Sequence, residues 1–238
     1  VYIKRFFPSK VEIKRLKKIL YLGLPSALHS FFEVAFFISA VWMSGFIGKN
    51  SQAANQIALN LSSMTYMVAL GVGVAAMIRV GNQRGMMNFK KLREVALSTI
   101  LLIISIDVIF CMIFLFFNDF LPLLYLDPNN PSSLNDVNQV LEIASKLLIV
   151  AGVFQLFDGI QAVVLGALRG MQDVNKPAII IFLSYGVIGF PISYYLGFYT
   201  SLSMVGIWLG LLSGLFSSSL FLFLRFLKCP SFLFFKPV

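Results

Sequence analysis

Glu33 and Asp158 stand deep inside apolar runs, where a carboxylate can bind a cation, exchange a proton or neutralise a positively charged organic molecule. A charge at mid-bilayer costs roughly 2.5–3.5 kcal/mol on insertion scales, so such acids usually face a watery cavity and serve ions or cationic substrates. Their neighbours support this, because helical residues three and four apart share a face. His29 lies four residues before Glu33, and Gln155 and Gln161 flank Asp158 at minus three and plus three. Phe154 lies four before Asp158, a ring suited to holding an organic cation by its face. Gln52, Gln56 and Asn60 repeat every four residues as a polar edge in the outer half of the second run.

The candidate contacts for ion and substrate are therefore Glu33, Asp158, His29, Phe154, Gln155, Gln161 and Asn60. Structural readings stand beside these. Glu33 could be satisfied internally by His29, and a lone histidine is more often a packing residue than a proton carrier. The stripe Gln52, Gln56, Asn60 fits interhelical hydrogen bonding better than ligand contact. Asp107, mid-way along the third run, has only Ser105 nearby and stays open between a packing hydrogen bond and a second ion site.

The elements that must carry these residues are transmembrane helices. Of 238 residues, 58% are hydrophobic and 12% charged, and the mean hydropathy is +0.87, more apolar surface than a soluble domain needs. Six runs of about 20 residues or more can each cross a core of about 30 Å. The predicted spans are Leu20 to Ile47, Ala53 to Ile78, Val95 to Phe117, Val140 to Leu168, Pro177 to Tyr199 and Met204 to Leu227. The expectation is an all-α, polytopic six-helix bundle over 20–228, with a basic cytoplasmic lead-in at 1–19 and a cytoplasmic tail at 229–238.

A net charge of +9 might suggest nucleic acid, but the basic residues sit in short loops beside span ends rather than on one folded face. All of the 19 Lys and Arg except Lys49 and Lys146 fall on one side of such a bundle. By the positive-inside rule that side is cytoplasmic, and six spans put both termini there. The opposite connection carries Asp119, Asp127 and Asp136.

Depth can be read from spacing. Glu33 is 15 residues beyond Lys18 and 16 before Lys49, so roughly 22–24 Å from either marker at 1.5 Å per residue. Asp158 is 11 residues before Arg169, about 16 Å from the cytoplasmic end, so the two acids can face one cavity.

Glycines and prolines predict tight packing and bending. Gly206, Gly210 and Gly214, and again Gly166 and Gly170, form small-xxx-small repeats. Pro25 and Pro191 remove helical hydrogen bonds, Gly71 and Gly73 are expected to loosen the second helix, and Gly81 and Gly85 to break it. Lys10 to Leu22 reads as a basic amphipathic helix lying on an anionic surface, or as simple topogenic anchoring, and Arg79 to Glu94 resembles it. Asp127-Pro-Asn-Asn-Pro-Ser-Ser is turn chemistry with no binding role assigned. Cys111 and Cys229 are predicted at opposite faces as reduced packing residues. No cleavable signal peptide is expected, and Val at position 1 suggests a piece of a longer protein.

The chain resembles the second six-helix lobe of the multidrug and toxic compound extrusion (MATE) transporters. The resemblance rests on Gly23-Leu-Pro-Ser-Ala with Glu33 following, Ala53-Ala-Asn-Gln-Ile-Ala-Leu-Asn60, Leu70-Gly-Val-Gly-Val-Ala-Ala leading to Arg79-Val-Gly-Asn, Phe154-Gln-Leu-Phe-Asp-Gly-Ile-Gln through Leu168-Arg-Gly, and Gly206-Ile-Trp-Leu-Gly. It implies that Glu33 and Asp158 are the paired acids of this lobe, binding sodium or protons and cationic drugs, with Phe154 where several members carry an aromatic hydroxyl. It implies export of organic cations in exchange for the ion, no cofactor beyond that ion, a bacterial inner membrane, membrane lipid and an N-terminal lobe as partners, no nucleic acid and no enzymatic activity. Alternating access would come from rocking the two lobes.

Rival readings are a lipid-linked precursor flippase, an intramembrane aspartyl protease using Asp107 and Asp158, and an inert truncated lobe. The first calls for cations at mid-depth, and none is evident. The second calls for a Gly-x-Gly-Asp signature, whereas Ile106 and Phe157 precede the two acids. A solitary histidine excludes the His-Glu-x-x-His zinc pattern.

Overall fold

The computed structural model describes residues 13–126 and 134–228. Helix α1 is Ile13–Ile47, α2 Lys49–Gly85, α3 Phe89–Phe116, α4 Leu134–Gly170, α5 Asn175–Phe182, α6 Phe190–Phe198 and α7 Ser203–Leu227. A π-helical stretch, Leu183–Gly189, joins α5 to α6, so that Asn175–Phe198 is one continuous span. Six helices are thus long and apolar enough to cross a membrane. The chain is a multi-pass membrane protein, with one helix for each predicted span.

α4 is the central helix. In its apolar stretch 67% of residues are buried, against 22% in α1 and α3, because α2, α3 and α7 surround it. That burial is why Asp158, Gln155 and Gln161, all on α4, lie inside the lobe rather than against lipid.

Glycines set how close the helices come. A Cβ on Gly166 would run into the Gly73 carbonyl oxygen, and one on Gly73 would lie 2.9 Å from the Ala162 carbonyl oxygen. Gly170 likewise abuts Met77 and Gly81, so α2 and α4 touch backbone to backbone. On the far side Gly206 and Gly210 press on Leu196 and Ser193 of α6, and Gly214 meets Gly189. Both predicted small-residue repeats are helix crossings.

Several expectations are corrected. α2 runs unbroken through Gly71, Gly73 and Gly81 to Gly85, because Gly73 and Gly81 are held against α4 rather than loosened. The described part of the lead-in, from Ile13 onward, continues in line with α1 instead of turning along the surface, because one helix runs from Ile13 through Gly23 and Pro25 to Ile47. The basic stretch after Gly85 opens α3 itself, capped by Asn88, whose side chain accepts from the Lys91 N–H at 3.1 Å. Bending at Pro191 shows itself one turn earlier, where the helix widens into the π-helical stretch; proline supplies no N–H and its ring displaces the preceding turn. Lys4, Arg5, Lys10, the turn Asp127 to Ser133, Cys229 and the tail 229–238 lie outside the described residues.

Polar ties close both ends. Lys49 meets Asp136 at 2.7 Å, and Asn50 donates to Asp136 and Gln139, binding the α1–α2 turn to the start of α4. At the other end Arg225 pairs with Asp173 at 2.9 Å. Cys111 is a free thiol packed beside Gly152.

The core tie is Trp208 of α7, fully buried, whose Nε1–H donates to Asn55 Oδ1 at 2.9 Å. Trp208→Phe leaves the buried amide of Asn55 without that donor, at a cost of about 1–3 kcal/mol. A lower thermal midpoint of the detergent-solubilised protein is the expected result, and an unchanged midpoint contradicts it.

Candidate functional site

Glu33 and Asp158 border one cavity of about 370 Å³ between α1, α2 and α4. Its walls are Val34 and Phe37 of α1, Leu59, Ser62, Ser63 and Tyr66 of α2, and Phe154 of α4, with Ser30 at the edge. Phe154 is buried, edge-on to Phe37 at 5.9 Å and tilted against Trp208 at 5.6 Å. Two carboxylates bordering an apolar, aromatic cavity concentrate negative charge beside walls of low dielectric, which strengthens each Coulomb contact made there.

Glu33 also borders a narrower cleft of about 90 Å³ toward the ends of α2 and α4, shared with His29, Tyr66 and Arg169. Tyr66 O–H donates to Glu33 Oε1 at 3.4 Å. Arg169 Nη2 donates to His29 Nδ1 at 3.0 Å. A guanidinium has no acceptor, so His29 accepts on Nδ1 and carries its proton on Nε2, which lies 3.9 Å from Glu33 Oε2. His29 therefore stands as a neutral spacer between a cation and an anion.

The predicted polar stripe on α4 divides. Residues three apart step about 60° around a helix, enough on a buried helix to reach different neighbours. Asp158 faces the cavity, Gln161 is tied reciprocally to Tyr185 at 2.6 and 3.0 Å, and Gln155 turns toward Asp107 on α3. Asn60 is exposed with Gln52 and Gln56, and the interhelical hydrogen bond expected of that stripe comes instead from Asn55, one residue off it. Leu59, Ser62 and Ser63 line the cavity at the level where Asn60 was expected.

Two residues escaped the sequence reading. Tyr66 borders both the cavity and the cleft, and a tyrosine amid the apolar middle of the second span was its signal. Arg169 counted as a loop cation, yet its side chain reaches back to His29, so the cleft beside Glu33 does hold a positive charge.

An all-helical six-span fold, with two acids bordering one cavity between its helices, defines the class as that of multi-pass membrane proteins. The chain belongs to the MatE family, whose model matches residues 25–195. It is 37% identical over 213 residues to the probable multidrug resistance protein NorM of Agrobacterium fabrum, covering 89% of this chain and 44% of that protein. Multidrug resistance protein MdtK of Proteus mirabilis is 34% identical, with 88% and 45% covered. A crystal structure of the eukaryotic MATE transporter AtDTX14 superposes with a TM-score of 0.81 at 20% identity, over 91% of this chain and 47% of that one, a likeness of fold. The chain thus spans less than half the length of these relatives.

Proposed function

We propose that the chain works as one lobe of a secondary active transporter that exports organic cations in exchange for sodium ions or protons. It acts with an N-terminal lobe and surrounding lipid in a bacterial inner membrane, both termini cytoplasmic, and needs no cofactor beyond the coupling ion. The observation that carries this reading is the shared chamber: Glu33 and Asp158 border one 370 Å³ space walled by Phe37, Phe154 and Tyr66. A single negative site open to both ligands makes ion and drug compete, and entry of the ion from outside then helps release the drug. Names given to relatives, multidrug resistance proteins NorM and MdtK, agree with it.

The protease alternative fares poorly on geometry. Asp107 and Asp158 meet in a seam with no volume for a water-sized sphere, so an attacking water has no place between them. Arg169 revives one requirement of the flippase reading, a cation in the lobe, but it lines the 90 Å³ cleft and not the larger chamber.

The test is Asp158→Asn in protein made from the complete reading frame that encodes this chain. Affinity for tetraphenylphosphonium, a bulky organic cation, is expected to fall at least tenfold, about 1.4 kcal/mol. Unaltered affinity across pH would make Asp158 a structural acid and remove the central support.

A further inference from the structure

We propose that Asp107, Asp158 and Gln155 form an occluded proton site behind the chamber, holding one proton between the two acids. As an account of coupling it rests on the transporter reading; as a binding site it stands alone.

Asp107 of α3 is 2% exposed, Gln155 4% and Asp158 7%, and the three border one seam closed by Thr65 and Tyr66 of α2. Four of their polar atoms are buried without a partner: Asp107 Oδ2, Asp158 Oδ1 and both amide atoms of Gln155. The nearby donors are committed elsewhere. Thr65 O–H donates to the Ser62 carbonyl at 2.8 Å and Tyr66 O–H to Glu33. No Lys, Arg or His among the described residues borders the seam; Arg169 and His29 face Glu33 from the cleft on the other side of Tyr66.

Among the described residues that line the seam, Gln155 Nε2 is the one side-chain donor not already engaged, and it bonds neither carboxylate. Two like charges in a dry site cannot both persist, and a shared proton supplies the missing donor. The seam has no room for water, and a metal cation needs several oxygen ligands at fixed distance, whereas a proton needs only a pair of oxygens. Gly159 makes the approach possible, because any Cβ there would collide with the Asp107 carboxylate. Asp107 is thereby laid against the backbone of α4 next to Asp158.

Asp158 borders both spaces, so it connects them. When an organic cation draws on its negative charge, the proton passes from Asp158 to Asp107. When the chamber empties, the proton returns and neutralises Asp158. Asp107 is a proton reservoir that never meets the drug.

The experiment is infrared difference spectroscopy on purified protein carrying carbon-13 aspartate, in lipid nanodiscs, with tetraphenylphosphonium as the probe. The unaltered protein is expected to show a protonated-carboxyl band that shifts in heavy water and changes on addition of the probe. Asp107→Asn is expected to lose the probe-bound band while still binding the probe. If that variant does not accumulate, Gln155→Met must move the band's frequency. A band that persists in Asp107→Asn, or is unmoved in Gln155→Met, overturns the site. Sodium binding that vanishes in Asp107→Asn, with no protonated band in the unaltered protein, also overturns it by giving the seam to a metal ion. Failure of the chamber reading is separate: it would leave the Asp107-dependent band in place while Asp158→Asn kept full affinity for the probe.

Discussion

Cells expressing the complete reading frame with Glu33→Gln are expected to be as drug-sensitive as cells with an empty vector, while the amount of membrane-inserted protein stays unchanged. Gln matches Glu in shape and its amide oxygen still accepts from Tyr66, so what is removed is the negative charge alone. That charge has two partners to lose. One is a cation held in the 370 Å³ cavity, and the other is Arg169 across the cleft, beyond the neutral His29. Truncating one partner of a buried charged pair costs about 2–5 kcal/mol, much of it from the partner left behind. At about 1.4 kcal/mol per tenfold, the affinity for an organic cation falls at least thirtyfold. Measured efflux of a fluorescent cationic dye decides the matter: rates at the level of the unaltered protein, with equal abundance on immunoblots, would take Glu33 out of the transport path.

The contrast between Glu33 and its surroundings shows what a membrane sequence discloses. Charges inside apolar runs stand out because hydrocarbon penalises them, so Glu33, Asp158 and Asp107 were all visible, and so were the six spans that bury them. Orientation around a helix was harder to read. Gln155, Asp158 and Gln161 have the spacing of one stripe, yet the stripe divides: Gln155 and Asp158 share the seam with Asp107, Asp158 also borders the cavity, and Gln161 bonds Tyr185, because α4 is surrounded and has no single polar side. On a lipid-facing helix the stripe would have held together. Arg169 escaped for a different reason: a long side chain at a span end can extend toward water or fold back into the lobe, and sequence position does not distinguish the two. Likewise the choice of Asn55 over Gln52, Gln56 and Asn60 for the bond to Trp208 depends on how α2 is rotated, which tertiary packing sets.

That packing is itself testable at one atom. Gly166→Val is expected to abolish accumulation of folded protein or lower its thermal midpoint severely, whereas Gly71→Ala is expected to leave both nearly unchanged. A Cβ on Gly71 meets nothing within 4 Å, so alanine there adds only helix propensity, a gain of about 0.5–1 kcal/mol at most. A Cβ on Gly166 overlaps the Gly73 carbonyl oxygen, and a carbonyl cannot rotate aside as a side chain can. The two helices must part, and overpacking of this kind costs about 1–3 kcal/mol or more. The loss spreads to function, because Gly73 and Gly166 both line the cleft that holds Glu33, His29 and Arg169. A shift of α2 away from α4 also carries Tyr66 off Glu33 and unseats Thr65 from the seam at Asp107. Detergent-solubilised Gly166→Val protein melting alongside Gly71→Ala would show that the backbone contact between α2 and α4 does not hold this lobe together.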